Sequence, residues 1–309
     1  MPLLKINAEG PFLPPETRVR LRQALDATPK GAPVVICIHG YKFSPQIAAH
    51  DPHDHILALD PGLNSRKVLS WPRALGFGTG TAQEGLCIAL GWEARGTIWQ
   101  AYDMARQTGE ALARLIWKMD RPVQLIGHSL GARVILSALP RLPADTVQRA
   151  ILLAGAEFRS AALHALESEA GRTVEILNVT SRENRIYDLM VEMALRPDHG
   201  ASRTLGAGLG ELRRNWCDLA IDKAQARATL ARLGYAVPAP DRRVCHWSPY
   251  LREGLFDLYR VALRAPERLP LALLQDGLQP APSLAPPRSR WRAQESVASP
   301  LSFSRKASS

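Results

Sequence analysis

The sequence predicts an α/β fold: a mostly parallel central sheet flanked by helices, with no large cap. Three observations lead there. Apolar runs such as PVVICI (33–38) and AILLA (150–154) are continuous, the pattern of strands covered on both faces. Segments of helical period fall between such runs, so strand and helix alternate along the chain. The stretch PVQLIGHSLGARVILSAL (122–139) changes period within a few residues. Val123, Leu125 and Ile126 read as a buried strand, whereas Val134, Ile135 and Leu139 recur at helical spacing.

Taken in order, residues 16–27 read as a helix with Val19, Leu21 and Leu25 as its apolar positions, and 33–38 as a strand. Residues 39–67 form a loop region rich in His, Asp and Pro. Residues 68–71 read as a short strand, 84–96 are ambiguous, and 97–119 make a long amphipathic helix. A strand at 123–126 leads through a turn into a helix from Ala132. Strands follow at 150–154, 174–180 and 216–221, separated by helices near 161–170 and 185–195. Helices at 226–233 and 250–263 complete the pattern. The segment between the 123–126 and 174–180 strands is too short for a large cap, while 188–212 is long enough for a small lid.

The chain has 309 residues, 46% hydrophobic and 22% charged, enough for one large core. Residues 1–266 are expected to form it. Residues 267–309 are rich in Pro, Ser and Arg and have too little apolar surface to offset their ordering entropy, so a disordered, dispensable basic tail is expected. From Arg264 onward seven Lys/Arg stand against three Asp/Glu, part of a net charge of +10. Within the tail, Arg288, Arg290 and Arg292 surround Trp291, an arrangement expected to give at most weak, salt-sensitive attraction to lipid phosphates. A nucleic-acid partner and stable membrane insertion are not expected. No apolar run of about 18 residues and no charged start followed by an apolar stretch are present, so a cytoplasmic protein is expected. The cysteines Cys37, Cys87, Cys217 and Cys245 form no C-x-x-C pair, which points away from zinc and redox motifs.

Gly127-His128-Ser129-Leu130-Gly131 is a G-x-S-x-G sequence between a strand and a helix. Such a turn is tight enough to strain the serine backbone, and the residues two before and two after pass close by, so glycine is needed at both. The serine hydroxyl is lifted clear of the sheet at a helix N-terminus, where free N–H groups favour developing negative charge. A serine hydroxyl also needs a base. His246, in RRVCHWSPYLREGLFDLYRVAL, lies after the last strand and before an amphipathic helix.

With these motifs, 33–263 resembles the α/β-hydrolase superfamily, whose chain order is Ser, acid, His. The resemblance implies that Ser129 is a nucleophile and His246 its base. It places the acid in SRENRIYD after the VEILNVT strand. There the family pattern would put Asp near position 184, but this chain has Asn, so Glu183 is the favoured acid and Asp188 the alternative. VVICIHGY matches the start of the family's oxyanion hole, assigning its two N–H groups to Tyr41 and Leu130, with His39 bracing the loop. The implied activity is cleavage of a small-molecule carboxylic ester through an acyl-enzyme, with no cofactor and no metal. An acyltransferase or lactonase would use the same residues. A non-catalytic binding protein of this fold is the rival, favoured by Asn184. His128 lies inside the turn, and His164 and His199 fall in the wrong segments to serve as base. His50, His53 and His55, with Asp51 and Asp54, read as a solvated polar loop rather than a metal site. Trp71, with Ser70, Leu75 and Phe77, either lines an acyl pocket or belongs to the core. GASRTLGAGLG (200–210) lacks the Lys-Ser/Thr of a phosphate loop and reads as a mobile surface segment.

Overall fold

The computed structural model describes residues 2–62, 68–81, 83–199 and 202–278, with backbone only at 196–199. The described strands are β1 (Leu3–Ala8), β2 (Val34–Ile38), β3 (Leu86–Trp92), β4 (Val123–His128), β5 (Val147–Leu153), β6 (Glu175–Thr180) and β7 (Trp216–Ala220). They form one sheet in the order β1-β3-β2-β4-β5-β6-β7, every pair parallel. The α/β architecture expected from the alternating pattern is therefore present.

The helices are α1 (Thr17–Asp26), α2 (Trp71–Ala74), α3 (Ile98–Ile116), α4 (Leu130–Ala138), α5 (Arg159–Leu166), α6 (Glu169–Thr173), α7 (Arg185–His199), α8 (Ala224–Arg232), α9 (Ser248–Leu251), α10 (Leu255–Arg264) and α11 (Leu271–Leu278). Both faces of the sheet are covered. On β2, Val34, Ile36 and Ile38 point into a core shared with α1, α3, α4 and α5. Val35 and Cys37 point into a second core shared with α2, α8, α10 and α11. This two-sided burial explains why β2, β3 and β4 are apolar without alternation. The longest helix, α3, starts at a capping box in which Thr97 and Gln100 satisfy each other's backbone N–H groups. Among the described residues no helix is long and apolar enough to cross a membrane.

Four expectations need correction. β1 was not anticipated; its LLKINA pairs in register with β3, from Leu3 beside Cys87 to Ala8 beside Trp92. The ambiguous stretch at 84–96 contains β3. Residues 68–71 are not a strand: Trp71 opens α2, because Ser70 Oγ caps the Arg73 N–H and Pro72 cannot donate to a ladder. Trp71 is fully buried against Tyr250 and Phe256, so it belongs to the core and not to an acyl pocket.

The fourth concerns the C-terminus. The fold does not stop at 266 but runs to Leu278. Leu269, Leu271 and Leu274 are buried in the second core. The Leu269 carbonyl accepts from the buried Arg149 guanidinium (2.9 Å), and the Gly277 carbonyl accepts from Thr229 Oγ1 (2.6 Å). Gln275 donates to the carbonyls of Arg213 and Trp216, both at 2.8 Å. The rest of the expected tail, 279–309 with Arg288–Arg292, lies outside the described residues. Leu274→Ala should lower unfolding stability by about 2–5 kcal/mol, as for other buried leucines. Truncation after Pro266 should lower the melting temperature further, since it also strips Arg149 of an acceptor. Thermal unfolding of both forms checks this, and an unchanged midpoint would show that α11 is not part of the core.

Candidate active site

Ser129 stands between β4 and α4, at the N-cap of α4, with φ 55° and ψ −119°. Backbone of this kind costs a non-glycine residue about 1–3 kcal/mol and persists only where the surroundings enforce it. Here the Ser129 N–H donates to the Leu153 carbonyl (2.9 Å), and the Ser129 carbonyl accepts from the N–H groups of Ala132 (3.1 Å) and Ala156 (3.0 Å). The flanking glycines permit the turn. A Cβ on Gly127 would lie 2.7 Å from the Gly131 backbone, and one on Gly131 would lie 2.6 Å from the Ile38 carbonyl oxygen.

The end of β2 is brought alongside by register, Ile38 standing beside Gly127. His39 then braces the turn. It is fully buried; Nδ1–H donates to the Gly40 carbonyl (2.9 Å), and Nε2 accepts from the Trp92 N–H (3.0 Å). Burial pushes its pKa down to about 3, keeping the ring neutral and that acceptor available. Tyr41 follows, its hydroxyl donating to the Gly96 carbonyl (2.7 Å). Leu130 is the first residue of α4, where N–H groups have no partner within the helix. Both line the same cleft as Ser129.

His246 enters from the loop before α9. That loop is tied to the end of β6 by the Cys245 N–H donating to the Glu183 carbonyl (2.9 Å). The His246 ring stacks on Tyr187 at 4.6 Å between centroids and lies 4.5 Å from the His128 ring. His128 Nε2–H donates to the His246 carbonyl (3.0 Å). Among the described residues no hydrogen bond joins the Ser129 hydroxyl to the His246 ring, although both line the cleft.

Neither expected acid meets the histidine. Glu183 immediately precedes Asn184 in the turn after β6, but its carboxylate is held by Arg252 and accepts from Ser181 Oγ (2.9 Å). Arg252 is fixed in turn by donating to the Ile221 carbonyl (2.9 Å). Asn184 takes the place instead: its Oδ1 lies 2.6 Å from His246 Nδ1, and its Nδ2 donates to Asp188 Oδ1 (2.8 Å). Asp188 thus stands one hydrogen bond further out. An amide has one acceptor end and one donor end, so with Nδ2 committed to Asp188, Oδ1 accepts the His246 Nδ1 proton. Nε2 then carries a lone pair.

The electrostatics keep these rings neutral. Burial lowers the His246 pKa well below 6.5, with a smaller contribution from His128. Burial brings His128 to about 4, opposed by its bond to the His246 carbonyl. Asp188 moves the other way, up to about 7, through burial and the neighbouring Glu192 carboxylate, against the Asn184 hydrogen bond and Arg203.

The cleft, of about 930 Å³, is lined largely by apolar and aromatic side chains, among them Phe43, Trp99, Tyr187, Met190 and Trp247. The described part of the segment expected as a small lid supplies a wall of the cleft through Asp188, Met190, Val191 and Ala194. α7 is held by Glu192, which accepts from the Thr204 N–H (3.0 Å) and from Arg203 (2.9 Å). Thr204 bridges to Phe158, and Leu205 and Leu209 are buried, so the described part of the glycine-rich run, 202–210, is anchored rather than mobile. His50, Asp51 and His55 also line the cleft, while His53 Nε2 bonds Asn7 Oδ1 (2.6 Å). Among the described residues no group of three or more His, Cys, Asp or Glu could hold a metal ion. His164 lies in α5, and the His199 side chain is outside the described residues. Asn184 and Tyr187 are the site residues that sequence reasoning passed over; position 184 itself had been singled out.

A family model described as a protein of unknown function, DUF726, matches residues 96–167. No curated protein matches the chain. Three solved structures illustrate what it is similar to. A lipase-esterase related protein from Clostridium acetobutylicum shares 12% identity over 50% of this chain and 77% of its own, with a TM-score of 0.26. Carboxylesterase CesB from Bacillus subtilis shares 13% over 66% and 91%, with a TM-score of 0.28. Lipase B from Aspergillus fumigatus shares 14% over 87% and 63%, with a TM-score of 0.40. At these values the likenesses carry no argument about mechanism or substrate.

The raised Asp188 pKa has a consequence for stability. The unfolded carboxyl releases its proton near its ordinary value of 3.8, while the folded one keeps its proton up to about 7. Between those values the folded state binds more protons, so this group's contribution to stability falls as pH rises from about 4 to about 7 and is level above. Comparing denaturant unfolding of the protein and of Asp188→Asn across this range should show a shallower decline in the variant. Parallel curves would contradict the assignment.

Proposed function

We propose that the protein is a serine hydrolase of carboxylic esters with Ser129 as nucleophile, His246 as base and Asn184 as the group that orients the base. The observation that carries the reading is the strained backbone of Ser129 at the mouth of a helix, in a cleft it shares with His246. Strain of this kind is maintained at functional sites. In the reaction, His246 Nε2 takes the Ser129 proton as Oγ attacks the ester carbonyl. The Tyr41 and Leu130 N–H groups hold the oxyanion. The tetrahedral intermediate collapses to an acyl-enzyme, and His246 returns the proton to the departing alcohol. Water repeats the sequence, giving its proton to His246 and releasing the acid.

Asn184 cannot neutralise an imidazolium as a carboxylate does, but it sets the tautomer. Asp188 sets Asn184 in turn. Ionised, Asp188 only accepts and holds the amide with Oδ1 toward His246. Protonated, it can donate to Oδ1, and a turned amide would offer N–H to His246 Nδ1, the wrong tautomer for catalysis. The uncharged amide also favours a rival, a binding protein that retains the fold without turnover.

The tests are kinetic. Ser129→Ala should lower kcat/KM for a short p-nitrophenyl ester by at least about 10⁴-fold at unchanged melting temperature, the scale of triad losses elsewhere. Full activity in that variant overturns the reading. Asn184→Ala should cost at least about a hundredfold through loss of the tautomer, with Asn184→Asp less impaired. The rate should rise with pH through about 7, following Asp188 rather than the much more acidic His246. Asp188→Asn should remove that rise. A rise that persists unchanged in the variant would show that another group controls it.

A further inference from the structure

One wall of the cleft has an outer side that its role as a wall leaves unexplained. α7 turns Tyr187, Val191 and Ala194 toward the cleft and buries Glu192 and Leu195 against the body of the protein. Its remaining face carries Ile186, Leu189, Met190 and Met193, at i, i+3, i+4 and i+7, all 51–73% exposed. A surface helix normally places polar residues there. Trp99 lies alongside, 57% exposed, its Nε1–H donating to the Ala194 carbonyl (3.0 Å). Single exposed apolar side chains are ordinary, but four on one helix face beside a tryptophan form a patch of the kind that marks a binding surface.

Two features identify what covers it. Met190 and Trp99 belong both to the patch and to the lining of the cleft, so the patch runs without a break into the cleft mouth. A folded partner seated there would cap the mouth; a layer of amphiphiles would cover the patch and leave the mouth facing lipid. The charge is complementary to one kind of layer. Arg185 on α7 and Lys42 on the cleft rim are exposed cations, on a chain of net charge +10. Helices with apolar stripes, flanking cations and tryptophan bind in the plane of lipid headgroups, more strongly when these are anionic.

We propose that the outer face of α7, together with Trp99, docks on an anionic lipid surface and turns the cleft mouth toward it. Arg185 and Lys42 meet the headgroup phosphates while Ile186, Met190, Met193 and Trp99 enter the acyl boundary. This does not depend on the hydrolase reading, because docking is measured without turnover.

The test is sedimentation of the full-length protein with phosphatidylcholine vesicles, with and without phosphatidylglycerol. Ile186→Glu/Met193→Glu alters two outward residues that do not line the cleft. The protein and Ser129→Ala should both sediment with the anionic vesicles, and the double variant should lose about tenfold or more of that binding at an unchanged melting temperature. Ile186→Ser/Met193→Ser, which adds no charge, should show an intermediate loss. Three results would overturn the proposal. The first is no binding by the parent protein. The second is equal binding by parent and both variants, which would place the contact elsewhere on the chain. The third is a parent protein that self-associates in sedimentation velocity and a double variant that does not, which would make a second copy the occupant.

Discussion

The backbone of Ser129 is the constraint on which the site depends. A serine at φ 55° and ψ −119° is unfavourable alone, and three backbone hydrogen bonds, to Leu153 of β5, Ala132 of α4 and Ala156 in the loop after β5, hold it there. Those bonds exist only because β4 and α4 meet at close range, and Gly127 and Gly131 are what allow that range. The same closeness brings the end of β2 against the turn, so Gly40 and Tyr41 arrive beside the serine without any element of their own to support them. Sheet order, glycine placement and hydroxyl position are therefore one geometric fact.

Around that fixed point the polar groups are graded by burial. His39 and His128 are neutral braces whose pKa values of about 3 and about 4 remove them from any titration near neutrality. His246 is neutral as well, but its Nδ1 faces an amide oxygen, so the tautomer is determined from outside the ring. Asp188, at the end of the chain of hydrogen bonds, titrates near 7. A carboxylate in direct contact with the imidazole would raise its pKa; displaced by one amide, it controls orientation with less effect on basicity. Glu183 is occupied in a different task. Its pairing with Arg252, together with the Cys245–Glu183 backbone bond, anchors the loop that carries His246.

What was legible in the sequence follows from the range of the forces involved. The tight turn at Ser129 was readable because the glycine spacing and the strand-to-helix change are both encoded locally, within residues 122–139. Of the strands buried on both faces, β2 and β4 were readable for the same local reason, whereas β3, equally buried, was not. The partner of His246 was not, because the direction of the Glu183 carboxylate is set by Arg252, 69 residues further along. The departure at position 184 was visible as a missing carboxylate; that an amide would occupy its place, held by Asp188, required the fold. α11 was missed because its short apolar run, LPLALL (269–274), stands directly before a Pro-, Ser- and Arg-rich stretch and looks like part of it until Arg149, Thr229 and the Trp216 carbonyl are seen to use it. β1 was missed because Lys5 and Asn7 interrupt its apolar residues, so it lacks the continuous apolar run by which β2 was read.

The central claim is that Ser129 is a nucleophile made reactive by its setting, and its chemistry can be read directly. The full-length folded protein treated with a fluorophosphonate, digested and mapped by mass spectrometry should carry the phosphonyl group on Ser129, bonded through Oγ with fluoride expelled, and on no other serine to a comparable extent. Labelling should rise with pH through about 7 as Asp188 ionises. A folded protein whose Ser129 peptide stays unmodified under these conditions would contradict the account and leave the fold as a binding scaffold.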